Sequence, residues 1–244
     1  MGIEEKELIT LKLIEGVLKS FDKVLVAFSG GKDSTLMLYY VVKAVEESKL
    51  KYPYILVSDP FPIPKSLEHC MNVLRDLHYP KDKLILMKDL VDQAGYSVFN
   101  KQPRDVKACC LHNKINTVNR LISDKGFQVM MVAVRWDEHE ARSKDPYIRK
   151  IDSPPHLRVE PVLHWSWKDV LTWYRRHPQL LNPLYLEGYT SLGCSPCTRP
   201  SLNAKFNSVD EYIDYVLSGA VKEREGRIID KEKVMERLRE LGYF

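Results

Sequence analysis

Apolar and polar positions follow two rhythms along this chain, one of helices and one of buried strands. Over Glu4–Ser20 the residues Leu8, Ile9, Leu11, Leu13, Ile14, Val17 and Leu18 recur at helical spacing, which predicts an amphipathic helix leading into a first strand. Val24–Phe28 reads as that strand, buried on both faces, and a glycine turn then opens a helix to about Glu47. Tyr54–Ser58 and Lys83–Met87 predict two more strands, with a helix over Lys65–Leu77 between them. Three prolines in Asp59–Pro64 forbid regular structure there, and Asp92–Lys107 reads as irregular. Cys109-Cys110 opens a helix from about Leu111 to Ser123, and the near-continuous apolar run Phe127–Val134 predicts a central fourth strand. Leu157–Leu163 reads as an edge strand interrupted by Pro161, and Ser166 as the N-cap of a helix over Trp167–Arg176. Ser208–Leu217 and Asp230–Leu241 are expected to close the chain as helices, separated by the charged stretch Lys222–Arg227. Strands alternating with helices predict an α/β fold: a doubly wound, mainly parallel sheet with helices on both faces. The expected organisation is a nucleotide-binding α/β domain over 1–205, carrying a cysteine site, and a helical segment over 206–244.

In such sheets ligands sit beyond the carboxyl ends of the strands. Ser29-Gly30-Gly31-Lys32-Asp33-Ser34 falls at such an end and continues into a helix. Adjacent glycines allow a sharp turn with N–H groups pointing inward, and a helix N-terminus adds positive partial charge. Ser29 and Ser34 add hydroxyls and Lys32 a mobile charge, a set suited to phosphate oxygens. The G-x-x-x-x-G-K-[ST] spacing of a Walker A loop is absent. Ser58 and Asp59 fall at the next strand end; Asp59 suits a ribose, a phosphate-bound Mg²⁺, or equally a loop cap. Arg135 and Arg142 follow the fourth strand, where two guanidinium forks suit an anion or a solvated charged loop.

Composition narrows the class only modestly. Of 244 residues, 44% are hydrophobic and 29% charged, as in a globular chain with a sizeable core. The formal charge of +4 fits phosphate ligands or nucleic acid without choosing between them. Met1–Leu18 mixes Glu and Lys with apolar residues rather than forming a leader, and no apolar run would span a bilayer, so the expected location is the cytoplasm. The five cysteines then read as metal ligands or reactive thiols rather than disulfides.

Cys109 and Cys110 are adjacent, and Cys194 and Cys197 form a C-x-x-C. Two such pairs suit a structural Zn²⁺ or a four-iron cluster. Adjacent ligands are awkward around one zinc but can reach different irons of a cube, which favours the 4Fe–4S reading. Cys70, in the helix after the proline loop, reads as a small core hydrophobe.

Ser29–Ser34 resembles the SGGKDS pyrophosphate loop of the adenine-nucleotide α-hydrolase superfamily, which includes ATP pyrophosphatases, the ATP sulfurylase small subunit, tRNA thiolases, and the PAPS and APS reductases. Within it, Cys109-Cys110 with Cys194 and Cys197 in Gly188–Thr198 is similar to the signature by which APS-type sulfonucleotide reductases hold a 4Fe–4S cluster. Asn182-Pro183-Leu184-Tyr185 and Trp165–Val170 are similar to the same family, and the likeness covers roughly Phe21–Arg199. The resemblance implies that Ser29–Ser34 line a phosphate or phosphosulfate pocket, that Ser58 and Asp59 sit near the nucleotide, and that Arg135 and Arg142 contact nucleotide or sulfate. It also implies a cluster held by Cys109, Cys110, Cys194 and Cys197 close beside that pocket. Two departures stand out. The reductases attack with a cysteine on a C-terminal tail, whereas no cysteine follows Cys197 here, and the family's D-T-G stretch is replaced by Asp59-Pro60-Phe61.

The expected function is therefore ATP activation with Mg²⁺, releasing pyrophosphate and AMP as sulfur enters an acceptor such as nucleic acid, with Lys32, Asp33, Arg135 and Arg142 as catalytic candidates. Arg104, Lys107, Lys114, Arg120, Arg199 and Lys205 suit a nucleic-acid backbone or ordinary surface. The alternative is an APS or PAPS reductase whose thiol comes from Cys70, the cluster or a partner. A third reading is a silent nucleotide- and cluster-carrying subunit. The expected partners are a sulfur-donor protein or thioredoxin-like reductant, and a homodimer is admitted.

Overall fold

The computed structural model describes residues 1–93, 106–138 and 140–227. The helix expected over Asp230–Leu241, most of the stretch Asp92–Lys107 including Arg104, and His139 lie outside these residues.

Six strands form one sheet: β1 Val24–Phe28, β2 Tyr54–Val57, β3 Leu84–Leu86, β4 Val129–Met131, β5 Ile148–Asp152 and β6 Pro155–Val159. The spatial order is β3-β2-β1-β4-β6-β5, parallel throughout except for the antiparallel β5–β6 hairpin. β1 lies at the centre, all five residues buried, because its unbroken apolar run is covered by helices on both faces. One core layer joins α1 Ile3–Ser20, α2 Lys32–Ser48 and α7 Trp167–Tyr174 to the sheet through Ile14, Phe28, Met37, Trp165 and Trp173. The other layer packs Leu25, Leu56 and Met130 against α6 Asn116–Lys125. α8 Val209–Tyr215 adds Tyr212 and Ile213 to the first layer, beside Tyr185 and Phe206.

Most elements follow the sequence pattern; the exceptions have local causes. Leu157–Leu163 was expected at an edge, but β6 pairs on both sides and ends at Val159, so Pro161 lies beyond the ladder. The edge is β5, Ile-Arg-Lys-Ile-Asp, whose charged residues mask its strand character yet suit an exposed rim. The irregular stretch expected from Asp92 also begins too early, since α4 Met87–Gln93 continues straight from β3 through Gln93. The cysteine pair does not open its helix: α5 Val106–Cys110 runs through a π-helical turn, Leu111–Ile115, into α6. Such turns mark functional sites often enough to draw attention to what this one carries.

At the far end of the core, Ser166 caps α7 as expected, accepting from the Asp169 N–H at 3.2 Å while its own N–H donates to Asp169 Oδ2 at 2.8 Å. Lys6 of α1 ion-pairs with the same carboxylate, tying the first helix to the seventh. Burial alone would push the Asp169 carboxyl up, but the hydrogen bonds from Lys6 and Ser166 win and hold it low. A depressed folded pKa gives stability that is present above the ordinary carboxylate range and lost as pH falls through the folded value. Asp169→Asn should therefore cost about 1 kcal/mol at pH 7 in urea denaturation, solvent screening the exposed part of the pair, with the deficit shrinking on acidification.

Candidate active site

The phosphate loop follows from its two ends. β1 fixes Phe28, and α2 begins at Lys32, leaving Ser29–Gly31 to reverse the chain. Gly30 takes φ +71°, the left-handed region, and a Cβ there would overlap Cys70 Sγ. Ser34 Oγ lies 3.1 Å from Ser29 Oγ, accepts the Ser29 N–H at 3.2 Å and donates to the Gly31 carbonyl at 3.0 Å, closing the loop on itself. A second layer holds it from outside. Asn182 Nδ2 donates to the Gly30 carbonyl at 3.1 Å and to Ser66 Oγ at 3.0 Å; the Tyr185 hydroxyl accepts the Lys32 N–H at 3.0 Å. Tyr174 donates to the Lys32 carbonyl at 2.8 Å. Asn182-Pro183-Leu184-Tyr185 is thus a clamp on the loop, which its sequence alone did not disclose.

Above the loop lies a cleft with a cavity volume of about 130 Å³. Ser29, Gly31, Lys32, Asp33, Ser34, Ser58, Asp59 and Arg142 all line it, with the Val132–Val134 backbone at its back. Two expected residues do not. Gly30 is turned against Cys70, and Arg135 is fully buried behind the wall. Arg135 instead bridges Asp33 Oδ1 (3.0 Å from Nε), Glu223 (2.6 Å from Nη2 to each oxygen) and Asp137 (3.5 Å from Nη1). Its contribution to the cleft is the charge it lends to those carboxylates.

Lys32 is 3% exposed and ion-pairs with Asp33 at 2.9 Å and with Glu223. Burial alone would weaken its ammonium, but Asp33 and Glu223 outweigh that and hold its pKa above the ordinary value. Arg142 pairs with Glu138; burial pushes that carboxyl up, but Arg142 and Arg135 prevail and keep it ionised. Carboxylate oxygens of Asp33, Glu138 and Glu223 lie within 4.8 Å of one another. Lys32, Arg135 and Arg142 balance their three charges, so this arrangement alone offers a dication no net attraction.

The cysteines gather at the side of the cleft beyond Asp59. Cys194 Sγ lies 3.8 Å from Asp59 Oδ1, and the Ser195 N–H donates to the Phe61 carbonyl at 2.8 Å, fixing the C-x-x-C loop against the proline loop. Cys109 and Cys197 are buried; burial raises the Cys110 thiol to about 11, with the charges of Cys109 and Cys197 adding to the rise and Lys114 opposing it. The pairs from the π-turned helix and the C-x-x-C loop therefore face one another. Lys114, one turn beyond Cys110, lines the cleft 3.9 Å from Asp59. Of the cations considered for a nucleic-acid backbone, Lys114 thus belongs to the cleft, while Arg120, Arg199 and Lys205 are exposed on the surface.

Cys70 is 1% exposed, and burial beside Asp59 pushes its thiol far up, the reverse of an activated nucleophile. Glu138, Glu223, Arg224 and Arg227 were not singled out by sequence reasoning. Arg224 and Arg227 line the cleft, and the Arg227 side chain reaches the Leu192 carbonyl over Gly193, where a Cβ would overlap it. A charged run between two helical patterns carries no signal that it folds back into a strand-end cleft.

The glycine-turned loop at the end of a parallel sheet, with cysteines beyond Asp59 at the edge of the cleft it lines, marks the candidate site, and comparison with known proteins gives the family. Residues 23–200 match the phosphoadenosine phosphosulfate reductase domain, and the chain belongs to that family. It is 28% identical over 133 residues to adenosine 5'-phosphosulfate reductase 1 of Bacillus subtilis (strain 168), covering 52% of this chain and 55% of that protein. The chain spans about half the length of the curated relatives it matches. Solved structures share the fold. Phosphoadenylyl-sulfate reductase from Candida auris, a phosphate complex, gives a TM-score of 0.57 at 14% identity over 79% of this chain and 94% of that one. Candida glabrata FMN adenylyltransferase with FMN and an ATP analogue gives 0.57 at 16% identity over 94% and 90%. The U34-tRNA thiolase NcsA from Methanococcus maripaludis, with its [4Fe-4S] cluster, gives 0.53 at 15% identity over 99% and 79%. Among the described residues no helix is long and apolar enough to cross a membrane.

Gly30→Ala should lower pyrophosphate affinity at least tenfold in calorimetry, because left-handed backbone strain of about 1–2 kcal/mol adds to the clash with Cys70. Cys70 itself should resist iodoacetamide in the native protein and react only after unfolding, as mass spectrometry of the alkylated peptide would show.

Proposed function

We propose that this chain binds ATP at the Ser29–Ser34 loop and activates an acceptor by adenylation, so that sulfur then displaces AMP. The observation that carries this reading is the cleft itself: a clamped loop lines it, Cys194 lies 3.8 Å from Asp59 of its lining, and the fifth thiol, Cys70, is buried and deactivated. Adenylation needs no protein nucleophile. The acceptor oxygen attacks the α-phosphorus, the bond to the β-phosphate oxygen breaks, and pyrophosphate carries away the electron pair. Lys32, Gly31 and Ser34 are placed to hold the departing phosphates, and Arg142, Lys114, Arg224 and Arg227 surround the remaining charge. Asp33 and Glu138 are the cleft carboxylates for a Mg²⁺ that accompanies the triphosphate, whose own oxygens supply the negative charge the balanced cluster lacks.

Cys109, Cys110, Cys194 and Cys197 are the proposed ligands of a 4Fe–4S cluster; adjacent cysteines on one helix and a C-x-x-C loop near them suit a group whose irons are reached separately. When bound, the cluster would supply an iron or electron-transfer centre to deliver or hold sulfur beside the nucleotide. The chain's part is to fix those thiols next to Asp59 and Lys114 on the cleft wall. The acceptor class we favour is nucleic acid, with a separate protein as sulfur donor.

A second reading, sulfite release from APS or PAPS, is favoured by the reductase relatives and by the number of cations at the cleft. It requires a thiol from a thioredoxin-like partner or another segment, because Cys70 does not supply one.

Turnover of anaerobically prepared protein with ATP, APS and PAPS separately decides between them. The proposal expects AMP and pyrophosphate from ATP, at least a hundredfold slower in Lys32→Ala; sulfite from APS or PAPS with ATP inert would establish the second reading instead. Cys194→Ser should lose the broad visible absorbance of the reconstituted cluster while keeping pyrophosphate binding.

A further inference from the structure

One contact at the phosphate loop belongs to neither catalysis nor scaffold as described. The segment 221–227 crosses the cleft as a strap, anchored where the Arg199 N–H donates to the Gly226 carbonyl at 3.1 Å and where Thr198 and Arg227 form an antiparallel bridge. From this strap the Glu223 carboxylate reaches down onto the loop, ion-pairing with Lys32 and receiving both 2.6 Å hydrogen bonds from Arg135 Nη2. Lys32, the loop cation that lines the cleft, is therefore already gripping an anion, and Arg135 holds the same carboxylate from behind.

We propose that Glu223 is a built-in surrogate for the ligand's phosphate-type anion, seated on Lys32 and Arg135 until pyrophosphate or a nucleotide polyphosphate displaces it. A carboxylate is an acceptor-only anion that satisfies the same ammonium and guanidinium donors as a phosphate. Seating it adds a second carboxylate to Lys32 and Arg135, which otherwise share the single charge of Asp33 at the loop, and holds the apo loop in its binding shape. The exchange favours the incoming ligand, since a polyphosphate brings more charge and more oxygens than one carboxylate. Burial pushes the Glu223 carboxyl up despite Lys32 and Arg135. Its strap neighbours Arg224 and Arg227 line the same cleft, so the displaced strap still presents positive charge to the ligand. The competing role, a fixed carboxylate helping Asp33 and Glu138 to hold a cation, predicts the opposite effect of removing its charge.

This inference rests on the loop being the phosphate site, and is indifferent to whether the nucleotide is ATP or a sulfonucleotide. The test is calorimetric titration of inorganic pyrophosphate, without divalent metal, into wild type, Glu223→Gln, Glu223→Asp and Lys32→Ala. Loss of the competitor should tighten pyrophosphate binding at least tenfold in Glu223→Gln. Equal or weaker binding in that variant, with wild type binding and Lys32→Ala not, overturns the proposal alone. Should Glu223→Gln fail to fold, Glu223→Asp decides: its shorter reach cannot bridge both cations, so tighter binding than wild type is expected and equal or weaker binding refutes it. Pyrophosphate binding unaffected by Lys32→Ala, or absent throughout, would refute the phosphate-site reading and this proposal together.

Discussion

Lys32 carries its ammonium almost out of reach of solvent, and a charge so placed must be neutralised by fixed neighbours. Much of the site can be read as the answer to that demand. Asp33, next in the chain, takes one side; Glu223, from a strap nearly two hundred residues away, takes another; Arg135 then holds both carboxylates from behind. The loop that presents Lys32 is fixed just as tightly, through its own serines, the Asn182–Tyr185 clamp and Tyr174. Preorganised donors of this kind need not rearrange when charge develops on a substrate, which is how electrostatic catalysis works without a protein nucleophile.

The cysteine site depends on the same frame. Asp59 follows shortly after β2, and its Oδ1 lies 3.8 Å from Cys194 Sγ and 3.9 Å from Lys114 Nζ. The π-helical turn after Cys110 belongs to the helix that carries Cys109 and Cys110 and sets Lys114 in the cleft wall. The sheet supplies the reason these distant segments meet. β1, β2 and β4 are parallel neighbours, so the loops after all three open toward one end.

Much of this was legible in the residues. Val24–Phe28 followed by two glycines, and the continuous apolar run ending at Val134, have few structural meanings, and the parallel core follows from them. Cys109-Cys110 and the C-x-x-C pair stood out because neither spacing is usual for packing alone. What escaped was carried by long-range charge. Arg135 reads as a free anion-binding fork until burial shows it bound to three carboxylates. Glu223, Arg224 and Arg227 read as a solvated linker because a charged run has the same pattern whether it faces water or a cleft full of opposite charge. β5 was hidden similarly, since an edge strand with Arg149, Lys150 and Asp152 has almost no apolar signal.

The most direct test is a structure of the anaerobically prepared protein with a non-hydrolysable ATP analogue. The account predicts phosphate oxygens within hydrogen-bonding distance of Lys32 and Ser34, with Glu223 lifted from the loop and the cysteine quartet beside the bound nucleotide. A nucleotide bound elsewhere, with Glu223 still seated on Lys32, would contradict it.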